Sequence, residues 1–282
     1  MKPQKAREQV KMWRLPHLGD LELLHATYLN QSFSRHAHEG YAVGVIERGA
    51  LQFFYRGANL VAPSGCVNLA VPGEAHTGHA ASGAGWTYRM FYPGAGLLQQ
   101  AASEIAGRPA GLPFFQAGVI HDDYLAGLIR RLHCALEKPA TPVLEQESRL
   151  LWILAQWVMR HADDRPLLRK AGKEHRAVKL TREYIEAHYA EDVSLKQLAR
   201  VANLSPFHLI RVFAGEVGIP PHAYLTQVRV GRARALLGRG LPIAQVALET
   251  GFADQSHLHR HFKRIVGVTP GQYSNFVQDR HI

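Results

Sequence analysis

The sequence predicts a two-domain α+β chain: an antiparallel β-barrel or jelly roll with two helices behind it, then an all-α unit. Three observations carry that prediction. Up to about Tyr92 the chain is a series of short aromatic and β-branched runs punctuated by glycine. From Asp122 the apolar period becomes that of a helix, and the last third contains one helical unit written twice.

The β-like runs fall at 41–46, 51–55, 66–71 and 86–92, with turn signals at 47–49, 56–57, 63–65 and 72–73. A turn every ~8 to 10 residues is the spacing of an antiparallel barrel or jelly roll. Beyond it, Leu125, Leu128, Ile129 and Leu132 make one helical stripe, and Leu150, Leu151, Leu154, Trp157 and Val158 make another. The charged stretch from Ala162 to Arg176 contains Pro166 and Gly172 and has the composition of a linker. The expected division is therefore a domain at 1–165, a linker at 166–176 and a second domain at 177–282.

The 282 residues are 46% hydrophobic and 20% charged, which excludes a disordered or collagenous chain. The formal net charge is +10, split as +4 over 1–170 and +6 over the shorter 171–282, so a polyanion site belongs at the carboxyl end. Cys66 and Cys134 are too few for a disulfide scaffold and lack metal spacing, and a reducing cytoplasm is the expected location. The charged amino terminus has no apolar centre, so no secretory signal is expected there. The most apolar run, 150–159, is about half of the ~20 residues a membrane helix needs, so no membrane contact is expected.

An offset of 49 residues pairs His208 with His257, Leu209 with Leu258, Arg211 with Arg260, Phe213 with Phe262, Gly218 with Gly267 and Tyr224 with Tyr273. With Val217/Val266 and Pro221/Pro270 this gives eight identities in 17 positions, where about one is expected by chance. Each copy reads as helix, tight turn, helix. In the first, Leu195, Leu198, Ala199 and Ala202 form the buried face, Asn203-Leu204 the turn, and Ser205-Pro206 an N-cap with an N1 proline. In the second, Gly251 turns, Phe252 plugs the core and Asp254 caps.

Taking Leu209 and Phe213 as inward, helical geometry turns Phe207, Arg211 and Ala214 outward and puts Ile210 on the flank. The matching outward set is Ser256, Arg260 and Lys263, with His259 on the flank. An α-helix fits the DNA major groove, where arginine can bond guanine bidentately and an apolar side chain can meet a thymine methyl. Lys263, Arg264 and the helix-start amides are placed as phosphate anchors. Ser205, His208, Gln255 and His257 at the helix starts complete the candidate DNA-contacting set. His257, His259 and His261 fan around the helix axis and cannot share one metal.

The stretch IAQVALETGFADQSHLHRHFKRIVGVTPGQY, preceded by SLKQLARVANLSPFHLIRVFAGEVGIPPHAY, resembles the paired helix-turn-helix domain of AraC-family transcriptional regulators. The resemblance implies two subdomains joined by a long helix, here 224–237, presenting two recognition helices to successive major-groove segments of double-stranded DNA. It also implies RNA polymerase as a partner and a homodimer, for which the Leu150, Leu151, Leu154 and Trp157 stripe is either the seam or merely a cover for the barrel.

FSRHAHEGYAVGVIERGAL and NLAVPGEAHTGH resemble the same family's cupin-like sensor domain. In cupin enzymes a His-x-His, a downstream Glu and a later His bind metal. His36, His38 and His76 match, but Glu39 follows His38 directly and no Glu stands four or five residues on. Three imidazoles can still hold a divalent ion, although the reading requires no cofactor and expects no enzyme. For a small-molecule effector in the barrel the candidates are His36, His38, Tyr41, His76 and Tyr88, with Arg89 alternating to the other face. The expected function is a sequence-specific transcriptional regulator controlled by that effector. The alternatives are a ligand-free regulator whose barrel is a dimerisation scaffold, and a metal-dependent cupin enzyme with a DNA-binding tail.

Overall fold

The computed structural model describes residues 8–138, 141–165 and 174–278. The chain separates into two compact units, Met1–Glu137 with Leu150–Arg169, and Lys138–Arg149 with Lys170–Ile282. Positions 166–173 of the expected linker lie outside the described residues, and His175 and Arg176 open a helix.

The described residues of the first unit form nine strands: β1 (Gln9–Leu15), β2 (Leu21–Tyr28), β3 (Ser32–His36), β4 (Ala42–Tyr55), β5 (Ala58–Pro63), β6 (Val67–Ala70), β7 (His76–Ala80), β8 (Trp86–Tyr92) and β9 (Val119–Ile120). Every pairing is antiparallel. One sheet runs β1-β2-β8-β4-β6-β9; β3, β7 and β5 make a second sheet that shares β4. The sharing explains a departure from the sequence reading, in which 47–49 is a turn. Glu47-Arg48-Gly49 instead forms a bulge inside one 14-residue strand, where the register against β8 shifts between Ile46 and Arg48. Gly49 has φ +67°, and a Cβ there would stand 2.0 Å from the Gly85 carbonyl oxygen, so only glycine lets β4 bend from one sheet into the other.

Inward residues of the two sheets, among them Leu24, Ile46, Phe53, Trp86, Tyr88 and Met90, form the core. Among the described residues the sheets are flanked by α1 (Ala95–Ala106), α2 (Asp123–Leu136) and, from Leu150 on, by α3 (Val143–His161), whose first residues belong to the second unit. Asp122 caps α2 by accepting from the Leu125 amide at 3.0 Å. Ile129 and Leu132 of α2 and Leu150, Leu154 and Trp157 of α3 converge on Val43 and Phe91, on the outer face of the sheet. Leu150, Leu154 and Trp157 of the α3 stripe are therefore buried as a cover for the barrel, while Leu151 is only half-buried.

The second unit holds α4 (His175–Ala187), α5 (Leu195–Ala202), α6 (Pro206–Val217), α7 (Pro221–Gly238), α8 (Ile243–Glu249), α9 (Gln255–Val266) and α10 (Pro270–Gln278). The local signals read from sequence are realised. Asn203 takes the left-handed conformation after α5, Ser205 accepts from the His208 amide and Pro206 starts α6. Gly251 has φ +74°, and Asp254 accepts from the His257 amide at 2.6 Å. The joining helix α7 is slightly longer than expected, and its buried Arg229 donates to the Tyr189 and Glu191 carbonyls at 2.7 and 2.9 Å. Phe252, Leu258 and Phe262 pack with Val230, Ala233 and Leu237 in the core of the second copy. No described helix is long and apolar enough to cross a membrane.

Candidate functional site

Between the two sheets lies a cavity of about 150 Å³. Alternation along β2, β4, β6 and β8 turns Leu24, Ala42, Asn68, Ala70, Tyr88, Met90 and Tyr92 into it, and Phe33, Leu51 and Phe53 close the other side. Gly44 makes room for this arrangement: a Cβ there would stand 2.2 Å from the Met90 sulfur.

The polar end is made by His36, His38 and His76. One ring nitrogen from each lies within 4.8 Å of the other two, and all three residues are half-buried. His36 Nδ1 is 2.8 Å from the Ser34 carbonyl and His76 Nδ1 is 3.1 Å from the Glu74 carbonyl. A carbonyl only accepts, so Nδ1 carries a proton and donates in both rings. Burial, reinforced by His76 and His36, pushes the His38 pKa down to about 4, and burial also lowers that of His76. The Tyr88 and Tyr92 hydroxyls are driven well above the ordinary tyrosine value by burial and stay protonated.

Of the sequence-predicted cavity residues, His36, His38, His76 and Tyr88 come together. Tyr41 does not line this cavity. It precedes inward-facing Ala42, so alternation turns it to the outer face, where its hydroxyl donates to the Pro113 carbonyl at 2.6 Å and its ring meets Phe115 and Trp157. Arg89 also faces outward, as expected, forming an ion pair with Glu47 at 2.9 Å and donating to Glu137 at 2.7 Å. Sequence reasoning missed Asn68, which is 8% exposed with its Oδ1 buried and unbonded. A lone amide in the otherwise apolar run 66–71 was the available signal.

On the second unit the two copies differ. Helix α9 exposes Gln255, Ser256, His259, Arg260, Lys263 and Arg264. His257, a predicted contact, is instead 3% exposed: its ring meets Phe252 and His261, and its Nδ1 accepts from the Ala253 amide. Burial and the neighbouring Arg260 hold its pKa near 4. Helix α6 departs further. Phe207 and Ile210, predicted outward and flanking, are 2% and 1% exposed. The reason is in its composition, because PFHLIRVFA is apolar nearly all round and such a helix buries most of its circumference. Ser205, His208 and Arg211 remain half-exposed, with His208 3.7 Å from Glu174.

Two family matches coincide with these two units. The family described as AraC-like ligand binding domain matches residues 18–154 and the helix-turn-helix domain matches residues 198–275. An uncharacterized HTH-type transcriptional regulator, YbfI of Bacillus subtilis (strain 168), is 31% identical over 86% of this chain and 87% of its own length. The probable transcriptional regulator LumQ of Photobacterium leiognathi is 34% identical over 34% of this chain and 39% of its own. A solved structure of a probable AraC family transcriptional regulator from Rhodopseudomonas palustris CGA009 is 26% identical, with a TM-score of 0.35, over 36% of this chain and 97% of that one. A sheet-built ligand-binding domain followed by a duplicated helix-turn-helix unit, with a relative matched along most of both chains, makes this protein a member of the AraC family of transcriptional regulators.

Proposed function

We propose that this regulator reads a specific double-stranded DNA site through α9 and α6, and that a small molecule in the barrel cavity sets its DNA affinity. The observation that carries the first half is the face of α9, where Gln255, Ser256, His259, Arg260, Lys263 and Arg264 are all open to solvent on one capped helix. Arg260 is positioned for bidentate bonding to a guanine edge. Lys263 and Arg264 serve as phosphate anchors, which fix register without reading sequence. Ser205, His208 and Arg211 supply the narrower contribution of α6.

The second half rests on the cavity, whose mixed wall of apolar side chains, imidazoles and one amide suits a ligand better than a bare scaffold does. An effector changes DNA affinity only through differential binding to the DNA-competent and incompetent arrangements of the chain. A homodimer and RNA polymerase contact complete the reading, in the cytoplasm and without catalysis. The dimer uses a surface other than Leu150, Leu154 and Trp157, which the sheet has taken.

Genome-wide mapping of bound DNA tests this directly by supplying the operator. On that operator, log affinity is expected to fall linearly with log salt, by about 0.9 per phosphate neutralised. A flat response, or equal affinity for operator and random duplex, contradicts the reading.

A further inference from the structure

We propose that the cavity selects an uncharged, single-ring aromatic effector bearing an O–H or N–H group, and that Asn68 is the residue that recognises this donor. The inference rests on reading the cavity as the effector site and gives that effector its chemical class.

Charge and size set the class. Among the described residues that line the cavity none is lysine, arginine, aspartate or glutamate. The carboxylates nearest in sequence to its histidines are engaged elsewhere: Glu39 is exposed and Glu74 is paired with Arg56 at 3.5 Å. Burial keeps His38 and His76 neutral at pH 7, so neither is a standing cation. A carboxylate, phosphate or ammonium group entering such a wall loses its water and gains no counter-charge, which excludes it. The volume, about 150 Å³, is that of a cavity that takes up benzene. Phe33, Phe53, Tyr88 and Tyr92 line it, and a ring placed among aromatic rings is stabilised beyond the area it buries.

Asn68 adds the polar requirement. It lies on β6 opposite Gly44 of β4 on one side and Val119 of β9 on the other. The first has no side chain and the second no polar side-chain atom, so neither cross-strand neighbour bonds the amide. Asn68 is 8% exposed and its Oδ1 is buried without a partner, whereas the Thr77 hydroxyl in the same wall already accepts from the Phe54 amide at 3.0 Å. An acceptor left in that state is completed by an incoming O–H or N–H. The neutral rings of His38 and His76 each add one acceptor nitrogen, so the polar groups of the wall also favour a ligand that donates. Met90 lies over Gly44, beside Asn68, where a Cβ on the glycine would stand 2.2 Å from its sulfur, and its methyl group is therefore a reporter of this part of the cavity.

The test uses the full chain with ¹³C-labelled methionine methyl groups and follows the Met90 resonance, assigned through Met90→Leu, during titration with phenol, toluene and benzoate. These probes are close in size and differ in donor and charge. Phenol is expected to shift Met90 saturably, with toluene and benzoate each binding about tenfold more weakly or worse. In Asn68→Leu the order of phenol and toluene is expected to invert, which an asparagine with a purely structural role does not produce. Equal affinity for phenol and toluene in the unaltered chain, or an unchanged order in Asn68→Leu, overturns the role of Asn68; the first comparison needs no variant and holds even where Asn68→Leu fails to fold. Benzoate binding as tightly as phenol overturns the uncharged class. A panel of charged and non-aromatic compounds, followed on the same resonance, separates these failures from failure of the sensor reading. A shift from one of them with none from phenol overturns the class and keeps the effector site, and no shift from any compound removes both.

Discussion

Arg211 and Arg260 occupy equivalent positions of the repeat, 49 residues apart, yet Arg260 is open to solvent while Arg211 is half-buried and its pKa is lowered by that burial. The asymmetry follows from the helices that carry them. In α9 polar residues fill one face, whereas in α6 Phe207, Leu209, Ile210, Val212 and Phe213 leave little of the circumference free. The second copy is accordingly expected to be the stronger reader of bases.

Arg260→Ala is expected to weaken operator binding by about 1–3 kcal/mol, with little effect on random duplex and none on the melting temperature. Arg211→Ala is expected to cost less in DNA affinity and to lower the melting temperature, because a half-buried arginine also packs through its stem. Fluorescence anisotropy on both duplexes, beside thermal melts, checks the pair. Equal losses on operator and random DNA for Arg260→Ala reduce that residue to a phosphate contact.

Arg229 ties the long helix α7 to the segment after α4, and the left-handed Gly251 passes close by: a Cβ there would stand 2.8 Å from the Ala190 carbonyl oxygen and 2.9 Å from the Arg229 guanidinium. Arg229→Leu keeps the apolar bulk and strands two carbonyls. Since a hydrogen bond to a charged group contributes about 1.5–3 kcal/mol, a loss of ~3 kcal/mol is expected. Arg229→Lys recovers only part, because an ammonium cannot reproduce the planar fork. Urea unfolding of the full chain gives the size, and amide exchange over 174–278 gives the place. A loss below about 1 kcal/mol contradicts the anchoring role.

The features legible in sequence are those fixed by a few neighbouring residues. Asn203, Ser205, Pro206, Gly251 and Asp254 set their turns and caps through local backbone preferences, and each is found doing so. Parity along a strand was legible too: the rule that turned Tyr88 inward and Arg89 outward also turns Tyr41 outward, once Ala42 is seen to face the core. What stayed hidden depends on tertiary surroundings. Gly49 signals a turn or a bulge equally well, and only pairing of 42–55 with both sheets decides between them. The burial of Phe207, Ile210 and His257, and the loneliness of the Asn68 amide, depend on what packs around them. Helix α1 and the β1–β2 hairpin carry a weaker periodicity than the elements that the sequence marks.

His133 accepts a hydrogen bond at Nδ1 from Arg89, 3.1 Å away, and a guanidinium can only donate, so the ring is neutral. It is wholly buried against Trp13 and Phe91, with Arg89 of β8, His25 of β2, and Glu47 and Glu137 as the charged and titratable groups around it. Burial, then Arg89, push its pKa down from 6.5 to about 4, against the pull of Glu137. The unfolded chain therefore binds this proton first. Stability from His133 is complete above pH ~6.5 and is lost as pH falls toward about 4, by at most ~3 kcal/mol. His133→Phe leaves Arg89 its two carboxylates and is expected to flatten the melting-temperature profile between those limits. An unchanged acid slope in the variant assigns the slope to other histidines.

Asn68 sits on inward-facing β6 with a buried, unbonded acceptor, and burying such a group costs about 1–3 kcal/mol. A ligand-binding protein carries that cost in its empty state and recovers it when the ligand donates a hydrogen. Asn68→Leu, close in volume and without the amide, is therefore expected to raise the melting temperature of the ligand-free chain while removing stabilisation by the effector. The two readings move in opposite directions, which a purely structural asparagine does not produce. A lower melting temperature in Asn68→Leu shows that an ordered water already satisfies the amide and takes the residue out of effector recognition.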